Sequence, residues 1–297
     1  MPNKKLWILH YSTTENFESE RLLEVARANG LDAELLQPKY FDVIVSRGNV
    51  KSIRYNSQRV DMPNLVLSRT GSGTNYFTSA LMRQIEKFNI PVINSSASVL
   101  GVKDKLLTSQ MLAKAGLPIP KTMMVSFPVD SELVESEIGF PCVVKFISGS
   151  KGKGVYLCEN RKFFDDLMEL IDNLKSRKTL IIQEYMGAQV GTDLRVWVLG
   201  GKTIAAMKRT APAGDFRANI SHGGHGEPYE ITEEIDFLAR ETAKTMGLDI
   251  AGVDLLFDND GFKICEANSS PGFEGIDQYC GTNMAQRVID YVKLKMQ

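Results

Sequence analysis

The chain has 297 residues, 43% of them apolar and 24% charged, which suits about two domains of ordinary globular composition. Its 35 Lys and Arg against 36 Asp and Glu leave a formal net charge of -1, which argues against a broad basic face for nucleic acid. No apolar run approaches the ~18 residues of a bilayer span, Leu6-Trp7-Ile8-Leu9 is too short for a signal-peptide core, and the four cysteines form no CxxC pair. A cytoplasmic chain without membrane contact, disulfide frame or zinc site is therefore expected.

Residues 5–11 read as a strand and 19–29 as a helix, with Leu22, Leu23 and Ala26 on one face and Gly30 as its stop. Residues 33–36 make a second strand, 41–45 and 52–55 a hairpin, 65–68 a strand, 79–88 a helix and 91–93 another strand. Strands alternating with helices imply a mostly parallel sheet covered on both faces, and this first unit ends near Asn94. One helix is predicted from Ser96 to Gly116, where Gly116-Leu117-Pro118-Ile119-Pro120 breaks it. Strands at 121–126, 141–146, 155–158 and 179–185, a glycine-rich turn at 147–154 and a helix at 163–174 then imply a small α+β unit. Residues 194–199 and 204–208 pair around Gly200-Gly201 as a tight hairpin. Residues 212–228 show little periodicity, 231–246 is an amphipathic helix, 252–257 and 262–267 form another hairpin, and 284–295 is a closing helix.

That last hairpin carries the most chemistry. With its turn centred on Asp260, Asp254 lies directly across the ladder from Glu266, and Asn268 points to the same face. Like charges opposite one another are destabilising, so this face makes better sense as hard oxygen ligands for Mg²⁺ than as packing, the alternative being a solvated face on which the charges are harmless. A second feature is Gly149-Ser150-Lys151-Gly152-Lys153-Gly154, where glycines let backbone N–H groups approach an anion. The run is neither a Walker A loop nor a dinucleotide fingerprint, and taken alone a plain β-turn explains it about as well. Lys145, at the end of an otherwise apolar strand, adds a cation that must find an anion or snorkel. The strand 180–186 runs into Gln183-Glu184-Tyr185, able to offer polar groups to an adenine edge, though alone it could be any strand ending at a surface. Asp193, Arg195, Lys208, Arg209, Asp215, Arg217 and Asn219 form a charged row suited to an anionic substrate, though each alone is as well explained by a solvated face. His222 and His225 are three apart but join no carboxylate or thiol pattern, and read as loop residues.

In order, these phrases resemble the ATP-grasp superfamily, and most of all the RimK-type (ribosomal protein S6 modification) α-L-glutamate ligases. The match is carried by Asp104-Lys105, Gln183-Glu184-Tyr185, Gly214 to Asn219, Ala251 to Asp254 and Asn268 to Ile276, and spans nearly the whole chain. The resemblance implies an α/β and α+β ATP-grasp fold in three parts: an N-terminal α/β pre-ATP-grasp domain (1–94), a central lid (95–186) and a C-terminal domain with the metal ligands (187–297). It implies that Lys105 and Lys145 contact the phosphates of ATP, that the loop holding Gly149, Ser150, Gly152 and Gly154 closes over them, and that Gln183, Glu184 and Tyr185 line the adenine with Asp193 near the ribose. Arg217, Ala218 and Asn219 would sit by the γ-phosphate, and Asp254, Glu266 and Asn268 would hold two Mg²⁺ or Mn²⁺. Arg209 and Arg217 are the candidates for holding the reaction intermediate. The activity implied is transfer of an amino acid, glutamate first among candidates, onto a substrate carboxylate through an acylphosphate. A protein C-terminus such as that of S6, a coenzyme or a carrier protein would be the acceptor, and a homo-dimer or tetramer the assembly. Val66 to Gly71 is expected to face the acceptor, with Ser68 where the S6-modifying pattern usually has proline.

Two other readings are weighed. A non-catalytic nucleotide-binding module would not need the intact set Asp254, Glu266 and Asn268. A dinucleotide-dependent oxidoreductase would need a glycine fingerprint after the first strand, and Ser12 to Asn16 contains no glycine.

Overall fold

The computed structural model describes residues 4–11, 16–47, 53–147, 154–173, 179–212 and 223–297. Strand β1 (Lys5–His10), helix α1 (Phe17–Ala28) and β2 (Asp32–Leu36) lead into a small meander, β3 (Phe41–Val43), β4 (Ile53–Tyr55) and β5 (Gln58–Arg59). Strand β6 (Leu65–Arg69), α2 (Tyr76–Lys87) and β7 (Val92–Ile93) follow. The parallel sheet runs β2-β1-β6-β7. Leu6 to Leu9 are all fully buried because a parallel strand is covered on both faces, so its sequence is a continuous apolar run. Trp7 and Leu9 pack with Leu81, Met82 and Ile85 of α2. Leu6 and Ile8 pack with Leu22, Val25 and Ala26 of α1, in a core that continues into Trp197, Met207, Phe273 and Val288 far along the chain. Asn16 caps α1 and Asn75 caps α2, each side-chain oxygen accepting a first-turn N–H.

The predicted helix from Ser96 to Gly116 is two helices, α3 (Ser96–Lys103) and α4 (Lys105–Lys114). Asp104 is extended and its carboxylate accepts from the N–H groups of Leu106 and Leu107, which starts a new helix where the apolar pattern alone runs on. Strand β8 (Thr122–Val125), α5 (Ser131–Glu137), β9 (Cys142–Phe146), β10 (Val155–Cys158), α6 (Arg161–Asn173) and β11 (Leu180–Glu184) then build an antiparallel sheet in the order β10-β9-β11-β8. Helix α6 buries Phe164, Met168 and Ile171 at helical spacing. Helix α5 escapes the pattern because in seven residues it buries only Val134.

The last part holds β12 (Thr192–Leu199), β13 (Lys202–Thr210), β14 (His225–Pro228), α7 (Glu233–Thr245), β15 (Ile250–Asp258), β16 (Gly261–Asn268), α8 (Glu274–Cys280) and α9 (Met284–Lys295). Its antiparallel sheet runs β14-β13-β12-β15-β16. Gly200 and Gly201 both have positive φ, as a two-residue hairpin turn of the twist-matching kind requires. Strand β14, inside the stretch read as aperiodic, is a four-residue edge strand on β13. The first and last parts are stapled by Asn94, only 1% exposed. Its Nδ2 donates to Ile250 O and Ser269 O (both 2.7 Å), and its Oδ1 accepts from the N–H groups of Asp249 (2.7 Å) and Ile250 (2.9 Å). All four cysteines are free thiols, and among the described residues no helix is long and apolar enough to cross a membrane.

Candidate active site

A cavity of about 630 Å³ lies where the three parts meet, well within the size that holds a small-molecule ligand. The β8–β11 sheet contributes Lys145, Ile181 and Gln183, and the connector after it Tyr185 and Met186. The five-stranded sheet contributes Asp193, Arg195, Arg209, Asp254, Leu256, Glu266 and Asn268. Lys103 and Lys105 enter from the α3–α4 junction, Glu18 from the first turn of α1, and Gly71 and Ser72 from the turn after β6.

The register of β12 brings four charges together. Asp193 pairs with Arg209 on β13, and Arg195 pairs with Asp254 on β15. Arg209 grips Asp193 with both prongs of its fork, Nε to Oδ1 at 2.6 Å and Nη2 to Oδ2 at 2.7 Å, and its Nη2 also lies 3.1 Å from Asp254 Oδ2. Arg195 grips Asp254 the same way, through Nε to Oδ1 and through Nη2 to Oδ2 at 2.9 Å. The Arg209 and Asp254 side chains are 5% and 6% exposed. Burial alone would push the Asp254 carboxyl up, but Arg195 and Arg209 together hold it below the usual carboxylate range. Burial pushes the Asp193 carboxyl up and Arg209 offsets this only in part, since Asp254 adds a like charge. Arg209 remains a cation: the two carboxylates outweigh the penalty of its burial and raise its pKa further.

Asp254 does stand directly opposite Glu266, with Asn268 two residues on. The route to that pairing differs from the simple one. The turn pairs Asp258 with Gly261, which by regular continuation would set Cys265 against Asp254. A bulge at Cys265 shifts the register by one and restores Glu266. Glu266 Oε1 accepts from Asn268 Nδ2 at 3.2 Å, and among the described residues no basic side chain pairs with it. A carboxylate with no basic partner among the described residues, a second carboxylate and an amide oxygen on one cavity wall are a donor set of the kind hard divalent cations take. Among the described residues no cluster of three His, Cys, Asp or Glu comes together, so the candidate set rests on two carboxylates and this amide.

Lys145 Nζ donates to Gln183 Oε1 at 2.6 Å and lies 3.7 Å from Cys265 Sγ. Burial pushes the Cys265 thiol up, so it faces the lysine as a neutral group. Gln183 Nε2 in turn donates to Thr122 Oγ1 at 2.9 Å. The Glu184 carboxylate turns the other way, accepting from Lys121 N–H (2.9 Å) and Lys263 Nζ (2.5 Å), and this hydrogen bond raises the Lys263 pKa.

Of the residues singled out in the sequence, Lys105, Lys145, Gln183, Glu184, Tyr185, Asp193, Arg209, Asp254, Glu266 and Asn268 all line this one cavity. Gly154 does not line it, although its positive φ and close approach to the Phe146 ring explain the glycine. Gly149, Ser150, Gly152, Arg217, Ala218 and Asn219 lie outside the described residues. The fork of Arg209 is committed to two carboxylates, which fits a residue that braces the site better than one that waits for an intermediate. Of the stretch Val66 to Gly71, Gly71 lines the cavity, while Arg69 is turned onto the Asn268–Gly272 turn: Nη2 donates to Pro271 O at 2.8 Å, and burial lowers its pKa to about 10. Sequence reasoning missed Glu18, Lys103 and Cys265. Only Lys103, two residues from Lys105, carried a signal.

Residues 5–99 match the RimK PreATP-grasp domain and residues 102–292 the RimK-like ATP-grasp domain. A probable alpha-L-glutamate ligase of Thioalkalivibrio sulfidiphilus is 34% identical over 280 residues, 93% of this chain and 91% of that one. Probable alpha-L-glutamate ligase 1 of Shewanella denitrificans is 36% identical over 280 residues, 93% of each chain. Among solved structures, the ATP-grasp ligase PsnB complexed with minimal precursor superposes with a TM-score of 0.77 at 21% identity, covering 99% of this chain and 100% of that one. D-alanine–D-alanine ligase from Bacillus anthracis complexed with ATP superposes at 0.68 and 15% identity, covering 99% and 98%. At such identities these structures speak for the fold.

Proposed function

Since the chain belongs to the RimK family of ATP-grasp proteins, which makes it an ADP-forming ligase of carboxylates and amines, we propose that it joins L-glutamate to the carboxylate of a peptide or protein C-terminus. The observation that carries this reading is the single cavity in which two phosphate-seeking lysines, an apolar strand edge and the face of Asp254, Glu266 and Asn268 converge. Glutamate as the amine is supported by the names of the relatives, and a peptide acceptor by the precursor-bound structures of PsnB. Ribosomal protein S6 is the first acceptor to try.

The working parts are the N-terminal domain (1–94), the lid (95–186) and the C-terminal domain (187–297). ATP lies between the last two. The backbone of Glu184 and Tyr185 meets the adenine, while Lys105 and Lys145 meet the phosphates. Asp254, Glu266 and Asn268 would hold Mg²⁺ or Mn²⁺, which when bound neutralises phosphate charge and orients the γ-phosphate. An oxygen of the acceptor carboxylate attacks the γ-phosphorus, the bond to the β-γ bridging oxygen breaks, and ADP leaves. The neutral amine of glutamate then attacks the acyl carbon, and phosphate leaves as the amide forms. Arg217 is the candidate for the charge that grows on the transferred group. Arg209, held by Asp193 and Asp254, keeps the wall against which this happens in shape. Closure excludes water, which would hydrolyse the acylphosphate.

The experiment is ADP release in the presence of ATP, Mg²⁺, L-glutamate and a panel of carboxylate acceptors. The reading expects release that needs both acceptor and amine. A nucleotide-binding module would bind ATP and release ADP with none of the panel.

A further inference from the structure

The buried side of Lys145 shows a hydrogen-bond chain whose direction can be worked out atom by atom. Thr122 has one hydroxyl proton, and it goes to Pro120 O at 2.8 Å. Its Oγ1 is thereby left as an acceptor, which takes the Nε2–H of Gln183 at 2.9 Å. With the amide nitrogen pinned toward Thr122, the amide oxygen must face Lys145, whose Nζ donates to it at 2.6 Å. The sheet sets this up. Gln183 lies across from Thr122 on β8 and from Val143 on β9, so Lys145 is its diagonal neighbour on the same face. Gln183 is 4% exposed, so the amide is held inside the sheet, not drawn from solvent.

We propose that Gln183 is a positioning residue for Lys145: it aims the ammonium at the phosphates of the nucleotide and leaves its charge unspent. This rests on the ATP-binding reading of the cavity and departs from the expectation that Gln183 lines the adenine. The chemistry favours an amide in this place. A lysine at the end of an apolar strand needs an anchor, and a carboxylate anchor would neutralise it. A carboxamide oxygen fixes the direction of the ammonium without cancelling its charge. Cys265, the residue extruded by the β16 bulge, supplies a second neutral contact at 3.7 Å. An ammonium has three N–H donors, and among the described residues these two contacts leave the third for a ligand.

The test separates phosphate from base. Binding of ADP and of adenosine is measured by calorimetry and competition for the wild type, Gln183→Met, Gln183→Glu, Thr122→Val and Thr122→Ser. Gln183→Met keeps the volume and loses the acceptor, and ADP affinity is expected to fall roughly tenfold to a hundredfold, the scale of a lost hydrogen bond to a charged group. Gln183→Glu is expected to fall at least as far, because it pairs the lysine and faces the phosphates with a carboxylate. Thr122→Val unlocks the amide and should cost several-fold, while Thr122→Ser, which keeps the hydroxyl, should restore wild-type affinity. Adenosine binding should be unchanged in all four. Equal losses for ADP and adenosine would overturn the proposal and return Gln183 to the base. ADP affinity unchanged in Gln183→Met would overturn it as well. Should Gln183→Met fail to fold, the Thr122 pair decides alone, and equal ADP affinity in Val and Ser variants would refute the chain. A wild-type protein that binds no ADP would instead remove the nucleotide reading underneath.

Discussion

Replacing Arg209 with Met removes the guanidinium that sits between Asp193 and Asp254. Arg209 contributes contacts at 2.6 and 2.7 Å to one carboxylate and 3.1 Å to the other, in a place where its own side chain is 5% exposed. Breaking a buried ion pair by removing one partner costs about 3–5 kcal/mol, because the partner left behind is charged and desolvated. Here two partners are left: Asp193 loses its only direct cation among the described residues, and Asp254 keeps Arg195. The upper half of that range is expected, which for a chain of this size, with an unfolding entropy of roughly 0.6 kcal/mol/K, is a fall in Tm of about 6–8 °C. Asp193→Asn should cost much less, about 1 kcal/mol, because Arg209 still has Asp254 and burial already disfavours the Asp193 charge. In the double variant the two effects should not add, with a coupling of more than about 1.5 kcal/mol. Thermal and urea unfolding of the four proteins without ligand is the assay. A loss below 1 kcal/mol for Arg209→Met, or simple additivity, would refute the claim that this arginine braces the site. Arg209→Lys should rescue little, since an ammonium cannot serve two carboxylates as a fork does.

Asn94→Ala strips four hydrogen bonds from a buried junction and leaves the backbone of Asp249, Ile250 and Ser269 unpaired. A loss of about 3 kcal/mol or more is expected by urea unfolding, with a fall in kcat because Ser269 sits beside Asn268. A variant as stable as the wild type would show that water substitutes for the amide. Glu266→Gln keeps the shape of a cavity wall, so Tm should stay within about 2 °C, while Mn²⁺ affinity drops at least tenfold and turnover vanishes. Retained turnover would remove Glu266 from the metal set. Lys105→Met should raise the KM for ATP tenfold or more and leave that for glutamate alone; an equal rise in both would move Lys105 away from the phosphates.

How far the sequence reveals this site depends on what kind of signal each part leaves. The apolar run Leu6 to Leu9, the Gly200-Gly201 turn and the spacing of Phe164, Met168 and Ile171 are local patterns and were readable. The break at Asp104 left a signal too, a good capping residue, but the apolar pattern on either side masked it. The two registers that assemble the site were readable only in outcome. Asp254 faces Glu266 because a bulge at Cys265 corrects a turn that would otherwise misalign them. Asp193 likewise meets Arg209 because the β12–β13 ladder slips by one residue at Val198; regular pairing from Leu199 and Lys202 would oppose Asp193 to Lys208. A bulge inserts one residue without changing composition or period enough to be seen, yet it moves every side chain beyond it. Both bulges lie between a hairpin turn and the cavity, so the turn alone could not have set the site. The direction of Gln183 was hidden for a different reason: it depends on three strands that meet only in the folded sheet.

The central claim is that the acceptor carboxylate is activated by phosphoryl transfer from ATP. It is tested most directly with an acceptor peptide whose C-terminal carboxylate carries heavy oxygen, incubated with the protein, ATP, Mg²⁺ and L-glutamate. Mass spectrometry of the products should find one glutamyl residue added to the peptide for each ADP formed, and one heavy oxygen in each phosphate released. Glutamylated peptide with unlabelled phosphate, or with AMP and pyrophosphate in place of ADP, would contradict the account.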